Sequence, residues 1–191
     1  MEKPEDISKE LRVELKRKML INITDDDLKN YFPNTKNFVM KYSDLESINY
    51  LNEILPHDKS FKIILIEQNF NLGHWVLILR YDNVYEFMDS YGLLIDQELK
   101  FIDRIQNILL GQNKKYMTQL FNKIPKGYKK VVNRKRLQQV KNKAATCGRW
   151  VILRIQFMRM GYNLKEFQEF VKKWSKQLDL SLDELVTLWI S

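Results

Sequence analysis

The chain has one cysteine, two histidines, four prolines and six glycines among 191 residues, and no apolar run approaches the length of a membrane span. A single cysteine excludes an internal disulfide and any cysteine-rich zinc site, so the expected setting is a reducing compartment. The opening Met1-Glu2-Lys3-Pro4-Glu5-Asp6 is charged rather than apolar, which argues against a secretory leader, and no membrane partner is expected. Internal repeats, low-complexity tracts and a dividing linker are also lacking. The expectation is one domain over 1–191, with a helical N-terminal part to residue 60, a core over 61–160 and C-terminal helices over 161–191.

Acidic residues are missing from one long stretch. None lies between Asp103 and Glu166, while 16 lysines and arginines fall between Arg104 and Lys165; against a net charge of +8, the rest of the chain is net acidic. A basic face of this kind suits a polyanion, because phosphate contacts that release counterions supply sequence-independent affinity for nucleic acid. Lys126, Lys129, Lys130, Arg134, Lys135, Arg136, Lys141 and Lys143 are the candidates. A solvated surface is the alternative reading of the same residues.

Residues 1–18 read as a frayed start and an amphipathic helix, and Thr24-Asp25-Asp26-Asp27 as an acidic helix start. Ser43-Asp44-Leu45-Glu46 has capping-box spacing, which predicts a helix to about Leu55. From Phe61 the composition turns to Ile, Val, Leu and aromatics, predicting strands over Phe61–Glu67, Trp75–Tyr81 and Val84–Met88. Asp82-Asn83 has turn chemistry and makes the last two a hairpin, apolar on both faces, so helices should cover both sides. Helical periodicity returns over Asp96–Leu110 and Lys114–Ile124, Lys129–Gln139 is basic and β-tolerant, and Cys147–Met160 is apolar all round. Gly161, Asn163 and Ser181 mark further helix ends and starts. The fold class is α+β, with a central mixed sheet, helices on both faces and a cysteine at the N-terminus of a buried helix.

That cysteine carries the chemistry. The first helical turn leaves N–H groups unpaired and holds the positive end of the macrodipole, and both favour a thiolate at Cys147. Free cysteine is also a small apolar residue that packs inertly in cores, so a base is needed to tell the two apart. His74 begins the second strand. If Tyr81 pairs with Val84, His74 lies opposite Tyr91 and Asp89 is its diagonal neighbour on the same face, with Cα atoms about 7–8 Å apart. Thiol, imidazole and carboxylate form the set that acyl transfer uses: nucleophile, proton carrier and orienting acid. An oxyanion needs donors, which the Cys147 amide and either Gln138 or Gln139 can supply.

Gly73-His74-Trp75, Asp89-Ser90, a glutamine and Thr146-Cys147-Gly148, in that order, resemble the adenain and ubiquitin-like-protease group of cysteine proteases over residues 60–160. Within it the chain looks most like the maturation proteases of virophages and polinton-type elements. The resemblance implies a papain-like, adenain-like fold and a cysteine endopeptidase that cuts capsid or other virion precursors after small residues such as glycine. It implies Cys147 as nucleophile, His74 as general base and acid, Asp89 as orienting acid, Gln139 as oxyanion donor with Gln138 as the alternative, and Trp75 walling the substrate channel. Family members place the glutamine six or seven residues before the cysteine, where this chain has Lys141 and Val140, so Gln139 aligns only with one extra loop residue. No metal and no required cofactor is implied, with DNA or a peptide as candidate stimulators; tethering a peptide through a second cysteine is excluded. The expected location is the virion and the host-cell cytoplasm or virus factory. Related layouts serve deconjugating enzymes for ubiquitin-like modifiers and coenzyme A-dependent acetyltransferases, and a basic DNA-binding protein is the non-enzymatic reading.

Overall fold

The computed structural model describes residues 8–139 and 144–191. Five strands form one mixed sheet in the order β1 (Val39–Lys41), β2 (Ser60–Asn69), β3 (Leu72–Tyr81), β4 (Val84–Met88), β5 (Lys129–Val132). The β2–β3 and β3–β4 pairs are antiparallel, and the edge strands β1 and β5 run parallel to their neighbours. Tyr81 pairs with Val84 and Leu77 with Met88, which is the register that the Asp82-Asn83 turn predicts. Asp82 takes the left-handed conformation there (φ 49°) that such a tight turn requires.

Alternation along the central strands sorts the core into two layers. Ile63, Leu65, Leu77 and Leu79 pack on one face with α1 (Lys9–Lys18), α2 (Asp25–Tyr31), α6 (Cys147–Arg159), α7 (Leu164–Gln177) and α8 (Leu182–Trp189). Ile64, Ile66, Val76 and Ile78 pack on the other with Tyr42 and Leu45, with Leu51 of α3 (Leu51–Ile54), and with Met117 and Leu120 of α5 (Tyr116–Phe121). Both faces of the sheet are therefore covered, as the apolar strands required. Arg154 and Glu86, fully buried, bridge α6 to β4 through two bonds of 2.8 and 2.7 Å, and Tyr81 Oη donates to the same carboxylate at 2.6 Å.

Three helix expectations are corrected. Over 43–55 there is a 3-10 segment, Tyr42–Ser47, then only the single turn of α3, because the caps differ from the Ser43–Glu46 pair. Asp44 accepts from the Lys41 amide and Glu53 from the Tyr50 amide, and Ile48 between them is extended. The helix expected over Asp96–Leu110 divides into a 3-10 segment, Glu98–Phe101, and α4 (Arg104–Leu109), since the Asp103 side chain caps Ile105 and Gln106 and restarts the helix. The helix expected over Lys114–Ile124 is shortened to α5. The short edge strand β1 has no counterpart among the expected strands, and β5 occupies only the start of the basic stretch.

Candidate active site

Three elements deliver three side chains to one point. Cys147 opens α6, and its first turn forms because Trp150 N–H donates to the Thr146 carbonyl at 3.0 Å. Gly148 follows because nothing larger fits: a Cβ there would lie 2.4 Å from Ile23 Cβ. His74 enters on β3 behind a β2–β3 bulge, and Gly73 makes the entry feasible, since a Cβ on it would stand 1.9 Å from the Ile66 carbonyl oxygen. Asp89 lies one residue past β4, with its own carbonyl held by Asn133 Nδ2 at 2.6 Å.

His74 Nε2 lies 3.3 Å from Asp89 Oδ1, and that oxygen also accepts from the Tyr91 amide at 2.6 Å. The Cys147 thiol interacts with the same imidazole and with the Trp75 and Gly148 amides. Burial pushes the thiol pKa up, but the bond to His74, its positive charge and the two amides outweigh this and hold Cys147 below the ordinary thiol range. Burial likewise opposes charge on His74; the nearby Glu98 carboxylate, the bond to Asp89 and the Cys147 thiolate together hold its pKa well above the usual imidazole value. Both shifts favour the thiolate–imidazolium form, and a carboxylate backs the imidazole. It can attack a carbonyl carbon and protonate a leaving group.

Trp75 is buried beside Cys147, and its indole N–H donates to the Ile23 carbonyl at 3.0 Å. Ile23, Val39, Leu65, Leu72, Trp75 and Cys147 line a cleft of about 730 Å³ that also touches the edge strand β1. The thiol thus sits on the wall of a groove that Asn22, Thr24, Asp25, Lys41, Asp44 and Asn71 also line, with the edge of the sheet alongside.

The two glutamines differ in burial, and Gln138 is the one linked to Tyr91, the residue stacked on His74. Gln138 is buried, accepts from Ser90 Oγ at 2.8 Å, and directs Nε2 toward the Tyr91 hydroxyl and the Ala144 carbonyl. Gln139 is exposed at the surface, and its amide donates to Asp183 Oδ2 at 2.9 Å. Lys126, Lys129, Lys130, Arg134, Lys135 and Arg136 are all exposed on and around β5, while Lys141 and Lys143 lie outside the described residues.

Sequence reasoning missed Glu98 and Asp183. Glu98 Oε2 stands 3.9 Å from His74 Nε2, and nothing in the spacing of a short 3-10 segment announces it. Asp183, in the first turn of α8, accepts from Thr146 Oγ1 at 2.6 Å as well as from the Gln139 amide, so it holds the chain at two points ahead of Cys147. Tyr91, which the hairpin register sets opposite His74, lays its ring against the imidazole.

His74, Asp89 and Glu98 offer ligand-type atoms within 4.8 Å of one another, the one such group among the described residues. Asp89 Oδ1 is already engaged by the Tyr91 amide and His74, which suits orientation of an imidazole better than a metal. Among the described helices, none is long and apolar enough to cross a membrane.

No protein-family model matches the sequence. The chain is 30% identical over 177 residues to the uncharacterized protein V9 of Sputnik virophage, an alignment that spans 92% of this chain and 97% of the relative. At that identity and coverage the two share one family, and the chain belongs to the family of this virophage protein.

Proposed function

We propose that this chain is a cysteine endopeptidase with a papain-like, adenain-like fold, which processes capsid or other precursor proteins during virophage particle maturation. The observation that carries the reading is the convergence of Cys147 with a His74 whose Nε2 faces Asp89, at the N-terminus of a buried helix and on the wall of a cleft. The virophage relative supports the setting, the virion and the infected cell, and the resemblance of the motifs supports the reaction.

In this reading the Cys147 thiolate attacks the scissile carbonyl carbon, and the carbonyl π electrons move to oxygen. The Cys147 amide stabilises that oxyanion, and Gln138, in the role that motif alignment suggests for Gln139, joins it by turning one Nε2 hydrogen from the Tyr91 hydroxyl. His74 imidazolium then gives its proton to the departing amine as the C–N bond breaks. Neutral His74 next takes a proton from water, whose oxygen attacks the thioester, and returns it to sulfur as the acid product leaves. Asp89 holds the ring and its tautomer throughout. The fixed indole of Trp75 narrows the cleft beside sulfur, in keeping with small residues such as glycine before the scissile bond.

The six exposed cations around β5 favour DNA as a partner that concentrates enzyme and substrate. If DNA binding were the whole function, Cys147→Ala would change nothing measurable. The decisive experiment is processing of virophage capsid precursor by wild type, Cys147→Ala and His74→Ala, with and without DNA. Loss of cleavage in both folded variants is expected. Absence of cleavage and of thiol labelling in wild type overturns the proposal, and acetyl transfer from coenzyme A or release of a ubiquitin-like modifier redirects it.

A further inference from the structure

The imidazole has a second acid on the same nitrogen. Glu98 is 5% exposed, its Oε2 lies 3.9 Å from His74 Nε2, and that oxygen has no hydrogen-bond partner. Its other oxygen receives one long bond, 3.5 Å, from Gln68 Nε2 on β2. A buried carboxylate oxygen left without a donor is costly, and ordinary folding removes such groups by substitution or pairing. Here the one complementary charge within reach is an imidazolium.

Resting on the reading of Cys147 and His74 as nucleophile and base, we propose that Glu98 is a positioning residue, a second carboxylate that holds His74 protonated opposite the Cys147 thiolate. The single proton on Nε2 goes to Asp89 at 3.3 Å, so Asp89 acts by hydrogen bond and Glu98 by charge. The division matters, because a hydrogen bond fixes orientation whereas a bare charge shifts only the protonation equilibrium. The charged or titratable groups facing His74 are Asp89 beyond β4, Tyr91 on the ring face, Cys147 from α6 and Glu98 from the 3-10 segment. Those facing Glu98 are His74, Asp89 and Tyr91, with Gln68 as a neutral donor.

Burial raises the Glu98 pKa to about 7, against the pull of His74. Its charge therefore appears as pH rises through neutrality. The sign follows directly: an ionised Glu98 raises the proton affinity of His74, and its removal lowers it. The acid would then extend the pH range of the thiolate–imidazolium pair on the alkaline side.

The test is an NMR titration of the imidazoles in the full, reduced chain, with exposed His57, the only other histidine, as internal reference. In Glu98→Gln the His74 midpoint is expected to fall by about one pH unit or more, a tenfold loss of proton affinity, with His57 unmoved. In wild type the Glu98 side-chain carboxyl carbon should titrate near neutrality, and the His74 resonances should respond with the same midpoint. A purely structural Glu98 would leave the His74 midpoint where it was. An unchanged midpoint in folded Glu98→Gln overturns the proposal. Neither outcome depends on cleavage, so failure here is distinct from failure of the protease reading.

Discussion

The rings of His74 and Tyr91 lie face to face, with centroids 4.6 Å apart and planes inclined by 25°. Tyr91 also donates its amide to Asp89 Oδ1 and accepts from Gln138 Nε2 at its hydroxyl, so one residue touches His74, Asp89 and Gln138. Stacking of this kind contributes about 0.5–1.5 kcal/mol, and a misplaced reacting group can cost about a hundredfold in rate. Tyr91→Phe should keep the stack and most of the rate of Cys147 alkylation at pH 7. Tyr91→Ala should slow it by about tenfold or more, since the imidazole then loses the surface that fixes its plane.

The lowered thiol pKa makes a signed prediction. Cys147 is held down by His74 against burial, so wild type should alkylate with iodoacetamide at pH values below those of ordinary thiols. In His74→Ala burial is opposed only by the two amides, and the thiol pKa rises. The rate at pH 6.5 should fall by about tenfold or more, because each pH unit by which the pKa rises removes roughly nine-tenths of the thiolate, and it should recover as the pH is raised. A pH–rate profile that does not move would separate the cysteine from the histidine.

Glu86 and Arg154 test the frame that carries the helix. Removing one partner of a buried ion pair costs about 3–5 kcal/mol, and for a chain of this size that lowers Tm by roughly 6–20 °C. Glu86→Ala should do so, because it leaves the Arg154 guanidinium and the Tyr81 hydroxyl without their acceptor. Glu169→Ala breaks the exposed 3.9 Å pair with Lys165 and should leave Tm unchanged in the same calorimetric scan.

Gly148 and Ile23 form a tight contact that a double-mutant cycle can read. Gly148→Ala should destabilise by about 1–3 kcal/mol through overpacking, measured by urea unfolding. Trimming Ile23 to valine leaves the colliding Cβ in place, so the strain should persist; Ile23→Gly combined with Gly148→Ala should recover it. Additive costs in that pair would show that Gly148 is needed for some other reason.

Much of this geometry is legible in the sequence, for identifiable reasons. Asp82-Asn83 fixes a two-residue turn, and a turn fixes a register, so the hairpin alone sets Asp89 and Tyr91 against His74. The Asn163 and Ser181 helix starts are equally plain, since each side chain caps its own N3 amide. The three residues of β1 are too few to show a period. Gln138 and Gln139 are not separated by counting back from Cys147, because burial rather than spacing distinguishes them. Glu98 reaches His74 only through the packing of a 3-10 segment against β2 and β3, and its charge gives no local sign of that destination.

Asp183 grips the chain at two points ahead of Cys147, and Arg149, in the first turn of α6, donates to the carbonyls of Ile21 and Ile190. A ribosome that has released His74, Asp89 and Cys147 has therefore not yet produced the clasp that orders them. In the proposed protease, a chain cut short before α8 would carry all three side chains and lack the contacts that hold the start of α6 in place.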